Sequence, residues 1–425
     1  MAAPVVARRC GRAAGLWGGL RRAPLPPRRR AHEQPRRARG AGGLLAAQCE
    51  RGLFQEVFPA QSAEEQLPAL LAPGRPPLAA YCGFDPTADS LHVGHLLPVM
   101  ALLHFQRAGH DVIAVVGGAT ARLGDPSGRE RAREPLPAGT ARAHARALRA
   151  GLERLFQNHR ELFWDPGAGR LGRAELLDNA SWLGREPLLR FLGGAGGRLR
   201  MGTLLSRQSC QARLRSADGM SLAEFLYPAL QAYDFLHLHQ HHGCRIQLGG
   251  HDQMGNIMSG YELVTKYGTD VFGITVPLIT STTGDKLGKT AGNAVWLNRD
   301  KTSPFELYQF FVRQQDNVVE KYLKLFTFLP LEEIAHIMEM HAKEPEKWGP
   351  QKRLAAEVTK LVHGREGLES AKRYQKITDG GVSINGNRVT NPETVLILGQ
   401  HILKNGVSLL RVGKKNYYVI KWLQL

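Results

Sequence analysis

Apolar and polar positions alternate in two different periods along this chain, and the switches between them mark its elements. Leu78–Phe84 reads as a short buried strand, His95–Ala108 as a helix and Asp111–Gly117 as a second strand. Strand-like runs return at Arg245–Leu248 and Val271–Ile279. Strand and helix in alternation predict a doubly wound, Rossmann-type α/β domain with a parallel sheet. Between these runs, Gly151 to Met220 is rich in Arg, Leu and Gly and reads as a helical insertion. Two capping boxes, Ser221-Leu222-Ala223-Glu224 and Ser303-Pro304-Phe305-Glu306, announce helix starts, the second with proline at the first helical position. The first opens a helical pattern to about Gln240, and residues 303–372 are helical in pattern throughout. From Arg373 the character changes again. Gly380 to Val389 alternates like a hairpin around Asn385-Gly386, within a small α+β tail. The most apolar window, Leu96 to Val116, is broken by His104, Gln106, Arg107, His110 and Asp111, which argues against a membrane span.

These patterns divide the chain into an arm over 1–47 and an α/β domain over 48–276 with its insertion at about 151–220. A linker over 277–302, a helical domain over 303–372 and a small domain over 373–425 follow. Several domains suit 425 residues, more than one core usually serves.

Charge changes the picture at the N-terminus. The formal net charge is +18, and before Cys49 the only acidic residue is Glu33, against eleven arginines. An arginine-rich, acid-poor arm reads as a mitochondrial presequence, although it lacks serine and Pro24, Pro26 and Pro27 interrupt any helix. A basic RNA-binding arm or a nuclear signal are the alternatives. The remaining body stays basic, which suits an RNA partner. Five cysteines, at 10, 49, 82, 210 and 244, form no Cys-x-x-Cys pair and imply a reducing compartment without structural zinc.

The candidate chemistry begins at Tyr81-Cys82-Gly83-Phe84-Asp85-Pro86-Thr87-Ala88-Asp89-Ser90-Leu91-His92-Val93-Gly94-His95. A strand that runs through a tight loop into a helix start turns backbone N–H groups and a helix N-terminus toward a polyphosphate. His92 and His95, at i and i+3, share one face there, and Pro98 is tolerated in the first helical turn. Far downstream, Lys286-Leu287-Gly288-Lys289-Thr290 lies in a Gly/Thr-rich loop. Taken alone, the first motif reads equally well as a chance tetrapeptide, and the second reads more readily as a solvated basic loop. Together they resemble the paired signatures of class I aminoacyl-tRNA synthetases, and the fifteen-residue stretch is similar to the tyrosyl branch. With the N-terminal arm, the chain resembles the mitochondrial members of that branch from about Leu53 to its end.

The resemblance implies a reaction in which a carboxylate attacks the α-phosphate of ATP and pyrophosphate leaves. Charge crowding on phosphorus makes positioning and electrostatics the main devices. Thr87, His92 and His95 on one side, with Lys286, Lys289 and Thr290 on the other, are implied as the catalytic group. Cys82, Gly83, Asp85, Gly94, Gly250 and Asp252 complete the implied ATP site with His92, His95 and the two lysines. Gly249-Gly250-His251-Asp252-Gln253 follows a strand, where glycine permits close approach to adenosine and Asp252 is placed for ribose hydroxyls.

Tyr227, Gln231 and Asp234 fall at i, i+4 and i+7, so they line one helix face. An ordinary amphipathic face would explain that spacing too, but Asp234 beside Phe235 and Leu236 requires a partner. The resemblance implies that Tyr81 and Asp234 clamp a phenolic hydroxyl. It implies that Tyr227, Gln231 and Asp125 hold an ammonium group and that Gln253 contacts the carboxyl end. Pro228 inside the helix breaks the bond to the Glu224 carbonyl and threatens to displace Tyr227. His237 and His241, at i and i+4, invite a metal, but with no nearby cysteine apart from Cys244 on the strand side and no carboxylate beyond Asp234 they read as a solvated helix end.

Implied partners are tyrosine, ATP with its own Mg²⁺, tRNA(Tyr) and a second copy of the chain docked through the insertion, in the mitochondrial matrix. The helical domain is implied to contact the anticodon stem region and the basic tail to resemble an alpha-L RNA-binding fold. Three other readings remain open at this point: a tryptophanyl enzyme, a smaller nucleotidyltransferase, or a non-catalytic RNA-splicing cofactor.

Overall fold

Six strands form the central sheet: β1 (Glu56–Phe58), β2 (Ala79–Phe84), β3 (Asp111–Val116), β4 (Ala174–Asp178), β5 (Cys244–Gly250) and β6 (Phe272–Val276). The computed structural model describes residues 43–128, 134, 136–217, 219–279, 294–413 and 416–422. Most of the 1–47 arm, and Lys286, Lys289 and Thr290, lie outside them. The strand order is β1-β6-β5-β2-β3-β4, with β1 antiparallel to β6 and the other pairs parallel. The chain builds outward from β2 through β3 to β4, then crosses to β5 and β6 on the other side. The reversal falls between β2 and β5, and a doubly wound sheet binds its ligands in the crevice outside such a pair's C-terminal ends.

β2 shows why both faces are closed. Ala80, Cys82 and Phe84 pack with the Leu96–Arg107 helix in one core, while Tyr81 joins Ala232, Phe235 and Leu236 of the Leu222–His242 helix in the other. Burial on both faces is the condition under which a parallel sheet is stable, and each fully buried aliphatic or aromatic side chain contributes ~1.5–3 kcal/mol. Gly83 is the one exposed residue of β2, and a Cβ built on it meets nothing within 4 Å. The crevice is open directly above the central strand.

Both capping boxes form, Ser221 with Glu224 and Ser303 with Glu306. The Leu222–His242 helix runs uninterrupted through Pro228 and ends on Gly243 in the left-handed region. Helices Pro304–Val312, Asp316–Phe326, Leu331–Lys343 and Gly349–Thr378 follow. Leu307, Phe311, Leu323, Leu354 and Val358 belong to the same continuous core as the Leu96–Arg107 helix, so this helical part is packed onto the α/β part. Arg51, nearly buried, fastens the two: its guanidinium donates to the carbonyls of Lys324, Thr327 and Leu329 at 2.9, 2.6 and 2.7 Å. Three carbonyls at a helix C-terminus would otherwise be without donors.

The tail forms a second, antiparallel sheet of β7 (Val382–Ile384), β8 (Asn387–Val389), β9 (Val407–Val412) and β10 (Asn416–Lys421), ordered β10-β9-β7-β8. Asn385 and Gly386 both take positive φ, 50° and 87°, the geometry of the Asn-Gly hairpin turn.

Three boundaries differ from the sequence reading. The stretch 151–220 is not a pure helical insertion: the Ala138–Leu162 helix enters it and β4, a strand of the main sheet, lies inside it. Ala174-Glu175-Leu176-Leu177-Asp178 is short, sits at the sheet edge and is built of helix-formers, so neither period nor propensity exposes it. The cut at 47 falls within the Leu44–Glu50 helix, and the cut at 372 falls within Gly349–Thr378, whose only non-helical residue is Gly364.

Candidate functional site

The loop after β2 holds His92 and His95 by their backbone. The Gly94 amide donates to His92 Nδ1 and the His92 amide to His95 Nδ1, both at 3.1 Å, which caps the short Val93–His95 turn. An Nδ1 that accepts leaves the neutral ring's proton on Nε2. The two rings lie 3.8 Å apart, centroid to centroid, so two Nε2–H groups are presented together beside a helix start. Pro98 occupies the first turn of Leu96–Arg107, as its geometry requires. Thr87 is half-buried in the same loop, its amide bonded to the Asp85 carbonyl at 2.8 Å. Gly94 is half-buried between the histidines.

The chain that follows the Lys-Leu-Gly-Lys-Thr segment returns to this loop. The Val93 amide donates to Val295 at 3.0 Å and the Leu297 amide to Leu91 at 2.8 Å, so His92 and Trp296 are bridged as in a two-stranded sheet. Lys301 pairs with Asp89 at 2.5 Å, which holds the Asp89 carboxyl below its usual range.

Asp85 sits at the centre of a continuous hydrogen-bond chain. Thr120 Oγ1 donates to Asp85 Oδ1 and the Tyr227 hydroxyl to Oδ2, both at 2.8 Å. Pro228 therefore does not expel Tyr227, which is buried and directed toward Asp85. Burial, with the charges of Asp85 and Asp125, raises the Tyr227 phenol well above its ordinary range, so it remains a donor. Asn179 Nδ2 reaches both Thr120 Oγ1 at 3.1 Å and Asp234 Oδ2 at 3.0 Å, and the Trp182 indole donates to Asp234 Oδ1 at 2.7 Å. Gly117 and Gly118 make this arrangement fit, because a Cβ on either would strike the carboxylate of Asp85 or Asp178.

Asp234 is buried, and desolvation pushes its carboxyl up to about 7, against the pull of the Asn179 and Trp182 donors. Tyr81 is buried beside it. Burial and the nearby Asp234 charge raise its phenol well above the usual range. Its hydroxyl has no hydrogen-bond partner among the described residues. A second network joins Asp125, Gln231, Gln253 and Asn256: Gln253 donates to Asp125 at 2.7 Å, and Asn256 donates to Gln231 at 2.9 Å and to Gln253 at 3.1 Å.

Of the sequence candidates, Asp85, Asp125, Tyr227, Gln231, Asp234 and Gln253 thus join two networks near the ends of β2 and β5, with Tyr81 beside Asp234 but bonded to neither. Gly250 and Asp252 stand at the end of β5, where a Cβ on Gly250 would come within 2.7 Å of Asp252 Oδ1. The Cys82 side chain is not brought to the crevice. It lies on the opposite face of β2 from Tyr81, and burial pushes its thiol up to about 12. Asn179, Trp182, Thr120 and Asn256 were absent from the sequence reading. Asn256 follows Gln253 by three residues on one helix face, a signal that was available, whereas Asn179 and Trp182 were hidden behind the unrecognised β4. The histidines at the helix end are not merely solvated: His237 stacks on Trp182 and His242 meets Glu175 at 3.1 Å. Among the described residues no group of three or more His, Cys, Asp or Glu side chains is arranged to hold a metal.

Known proteins carry the same arrangement of chain. Residues 74–376 match the family of class I tRNA synthetases (W and Y). The chain is 58% identical to the mitochondrial tyrosine–tRNA ligase of Homo sapiens, over 97% of this chain and 98% of that protein. It is 42% identical to the mitochondrial tyrosine–tRNA ligase of Drosophila melanogaster, over 95% and 99%. Among solved structures, a C-terminally truncated mitochondrial tyrosyl-tRNA synthetase of Aspergillus nidulans superposes with a TM-score of 0.71 at 35% identity, covering 78% of this chain and 93% of that one. The chain belongs to the class I tRNA synthetases (W and Y), among the mitochondrial tyrosine–tRNA ligases.

Proposed function

We propose that the crevice between β2 and β5 takes tyrosine and ATP side by side and that the polar side chains around it read both ends of the amino acid. A tyrosine–tRNA ligase first joins the tyrosine carboxylate to the α-phosphorus of ATP with loss of pyrophosphate. It then passes the tyrosyl group to the terminal ribose of its tRNA with loss of AMP. Tyr81 donates to the substrate's phenolic oxygen, and that hydroxyl donates to Asp234. Each Asp234 oxygen carries one side-chain donor, from Trp182 or Asn179, and a carboxylate oxygen accommodates two. Asp125, Gln231 and Tyr227 face the ammonium group, and Gln253 the carboxyl end. The observation that carries this reading is the buried Tyr81 hydroxyl, unpartnered among the described residues, beside a buried carboxylate: a site of that kind is satisfied by a hydroxyl and left unpaired by phenylalanine. Rejection of phenylalanine by tyrosyl-tRNA synthetases is itself the established example of this effect, and the geometry here accounts for its direction rather than its size.

Thr87, His92 and His95 act on the phosphates as hydrogen-bond donors, and Lys286, Lys289 and Thr290 grip the departing pyrophosphate from the other side. The anchoring of Val295–Leu297 against Leu91–Val93, on the C-terminal side of that lysine segment, supports the pairing. Asp85, Gly83, Gly94, Gly250 and Asp252 line the nucleotide's path, with the Cys82 backbone beneath it. Mg²⁺ enters with ATP as part of the substrate.

The insertion serves as a homodimer interface, for which the exposed Leu188, Leu189, Leu192 and Met201 argue. The 303–372 helices and the basic tail bind tRNA, with Lys372, Arg373, Lys376, Arg388, Lys404 and Lys421 exposed for phosphate contacts. The arm directs the enzyme to the mitochondrial matrix.

ATP–pyrophosphate exchange driven separately by each of the twenty amino acids tests the reading. Exchange with tyrosine and not with phenylalanine or tryptophan is expected. Exchange driven best by another amino acid would overturn it.

A further inference from the structure

His237 is three residues after Asp234 on the Leu222–His242 helix, so the two side chains leave the same face. One residue from outside the helix, Trp182, touches both. Its indole N–H donates to Asp234 Oδ1 at 2.7 Å, and its ring lies against the His237 imidazole at 4.5 Å between centroids and 14° between planes. Trp182 belongs to the Ala180–Leu183 turn beyond β4, which is only four residues long. Such a short element does not by itself fix the plane of a large indole. The hydrogen bond fixes one edge, and the stack fixes the rotation about it.

The stack is between two neutral rings. Burial, with the nearby His241 and His242 adding to it, pushes His237 down to about 4. His241 packs against it at 4.4 Å between ring centroids. Parallel aromatic pairs at this separation are favourable beyond the area they bury, and they are tolerant of ring identity. The hydrogen bond is not tolerant. An N–H to a buried carboxylate weakens steeply as its angle degrades. The Asp234 carboxylate in turn depends on that donor to remain ionised in a site that favours its neutral form.

We infer that His237 is a positioning residue for amino-acid choice: by stacking on Trp182 it holds the indole N–H on Asp234 and so keeps the carboxylate oriented toward the substrate's hydroxyl. It touches neither the substrate nor the reacting atoms. The inference rests on the assignment of Asp234 to the tyrosine hydroxyl.

The experiment compares His237→Ala and His237→Phe in the full chain, with Asp234→Asn as reference, by the ratio of kcat/KM for tyrosine to that for phenylalanine in ATP–pyrophosphate exchange. Loss of one well-aimed hydrogen bond to a charged group corresponds to a drop of about tenfold or more in that ratio for His237→Ala. His237→Phe, which keeps a ring on the indole, is expected to restore it. A loss of packing alone would lower both activities together and leave the ratio fixed. If His237→Ala fails to fold, His237→Leu, which fills the space without a π face, takes its place with the same expectation. An unchanged ratio in His237→Ala, or an equal fall in His237→Ala and His237→Phe, overturns the inference while a reduced ratio in Asp234→Asn leaves the assignment of Asp234 standing. An unchanged ratio in Asp234→Asn overturns both.

Discussion

Replacing Tyr81 with phenylalanine deletes one oxygen, and the structure assigns opposite signs to its effects on stability and on catalysis. In the free protein the Tyr81 hydroxyl is buried with no partner among the described residues. An unsatisfied buried hydroxyl costs ~1–3 kcal/mol, so its removal stabilises the ligand-free fold. The ring keeps its place against Phe235, 5.3 Å away, and no cavity opens. With tyrosine bound the same hydroxyl becomes a donor, and losing a neutral hydrogen bond removes ~0.5–1.5 kcal/mol. That converts to a fall of roughly two- to tenfold in kcat/KM for tyrosine. Phenylalanine leaves the hydroxyl unpartnered both before and after it binds, so its own kcat/KM is unchanged and the tyrosine-to-phenylalanine ratio falls through tyrosine alone. Thermal unfolding without ligand and ATP–pyrophosphate exchange with each amino acid read the two effects. The expected pair is a Tm raised by up to a few degrees and a reduced ratio. A lower Tm with an unchanged ratio would refute the reasoning, because the hydroxyl would then be bonded within the protein and not to the substrate.

Asp234 titrates at about 7 in the folded chain against 3.8 for the ordinary side chain. A raised carboxyl lends stability that is full below the unfolded value and is lost as pH climbs through the folded one. The stability of the protein relative to Asp234→Asn should therefore decline between pH 4 and pH 7 in urea titrations. The ionised carboxylate is the better acceptor, so kcat/KM for tyrosine should rise through pH 7 in the parent and lose that step in the variant. Leu188→Glu with Leu189→Glu places charge on side chains that are 66% and 82% exposed. Sedimentation is expected to show a dimer for the parent and a monomer for the double variant, and the same mass for both would refute the proposed interface. Deleting residues 379–425, beyond the end of the Gly349–Thr378 helix, should spare ATP–pyrophosphate exchange and weaken tRNA charging with a shallower salt dependence.

Much of this was legible in residue order because the signals were local and mutually consistent. Ser221 with Glu224 and Ser303 with Glu306 mark helix starts by chemistry that needs no tertiary context, and both boxes form. Asn385-Gly386 turns its hairpin for the same reason. β2 and β3, buried on both faces, are apolar runs that a helix cannot easily imitate. β4 was missed because an edge strand of five residues carries too few positions to establish a period. Its loss hid Asn179 and Trp182, which sit just beyond it and satisfy Asp234. The requirement of Asp234 for a partner was readable; the identity of that partner, 52 and 55 positions away, was not. Pro228 misled in the other direction. The missing bond to the Glu224 carbonyl is absorbed within the helix, and Tyr227 still reaches Asp85. Cys82 shows the limit of reading a motif as a surface, since alternation along β2 turns its thiol into the core and only its backbone toward the crevice.

The claim on which the rest depends is that Tyr81 and Asp234 together read the substrate's hydroxyl. A crystal structure of the protein with L-tyrosine bound tests it most directly. The account predicts the phenolic oxygen within hydrogen-bond range, about 2.5–3.0 Å, of both Tyr81 Oη and an Asp234 carboxylate oxygen. Asn179 and Trp182 would still be donating to Asp234. A phenolic oxygen bonded elsewhere, with the Tyr81 hydroxyl still unpartnered, would contradict it.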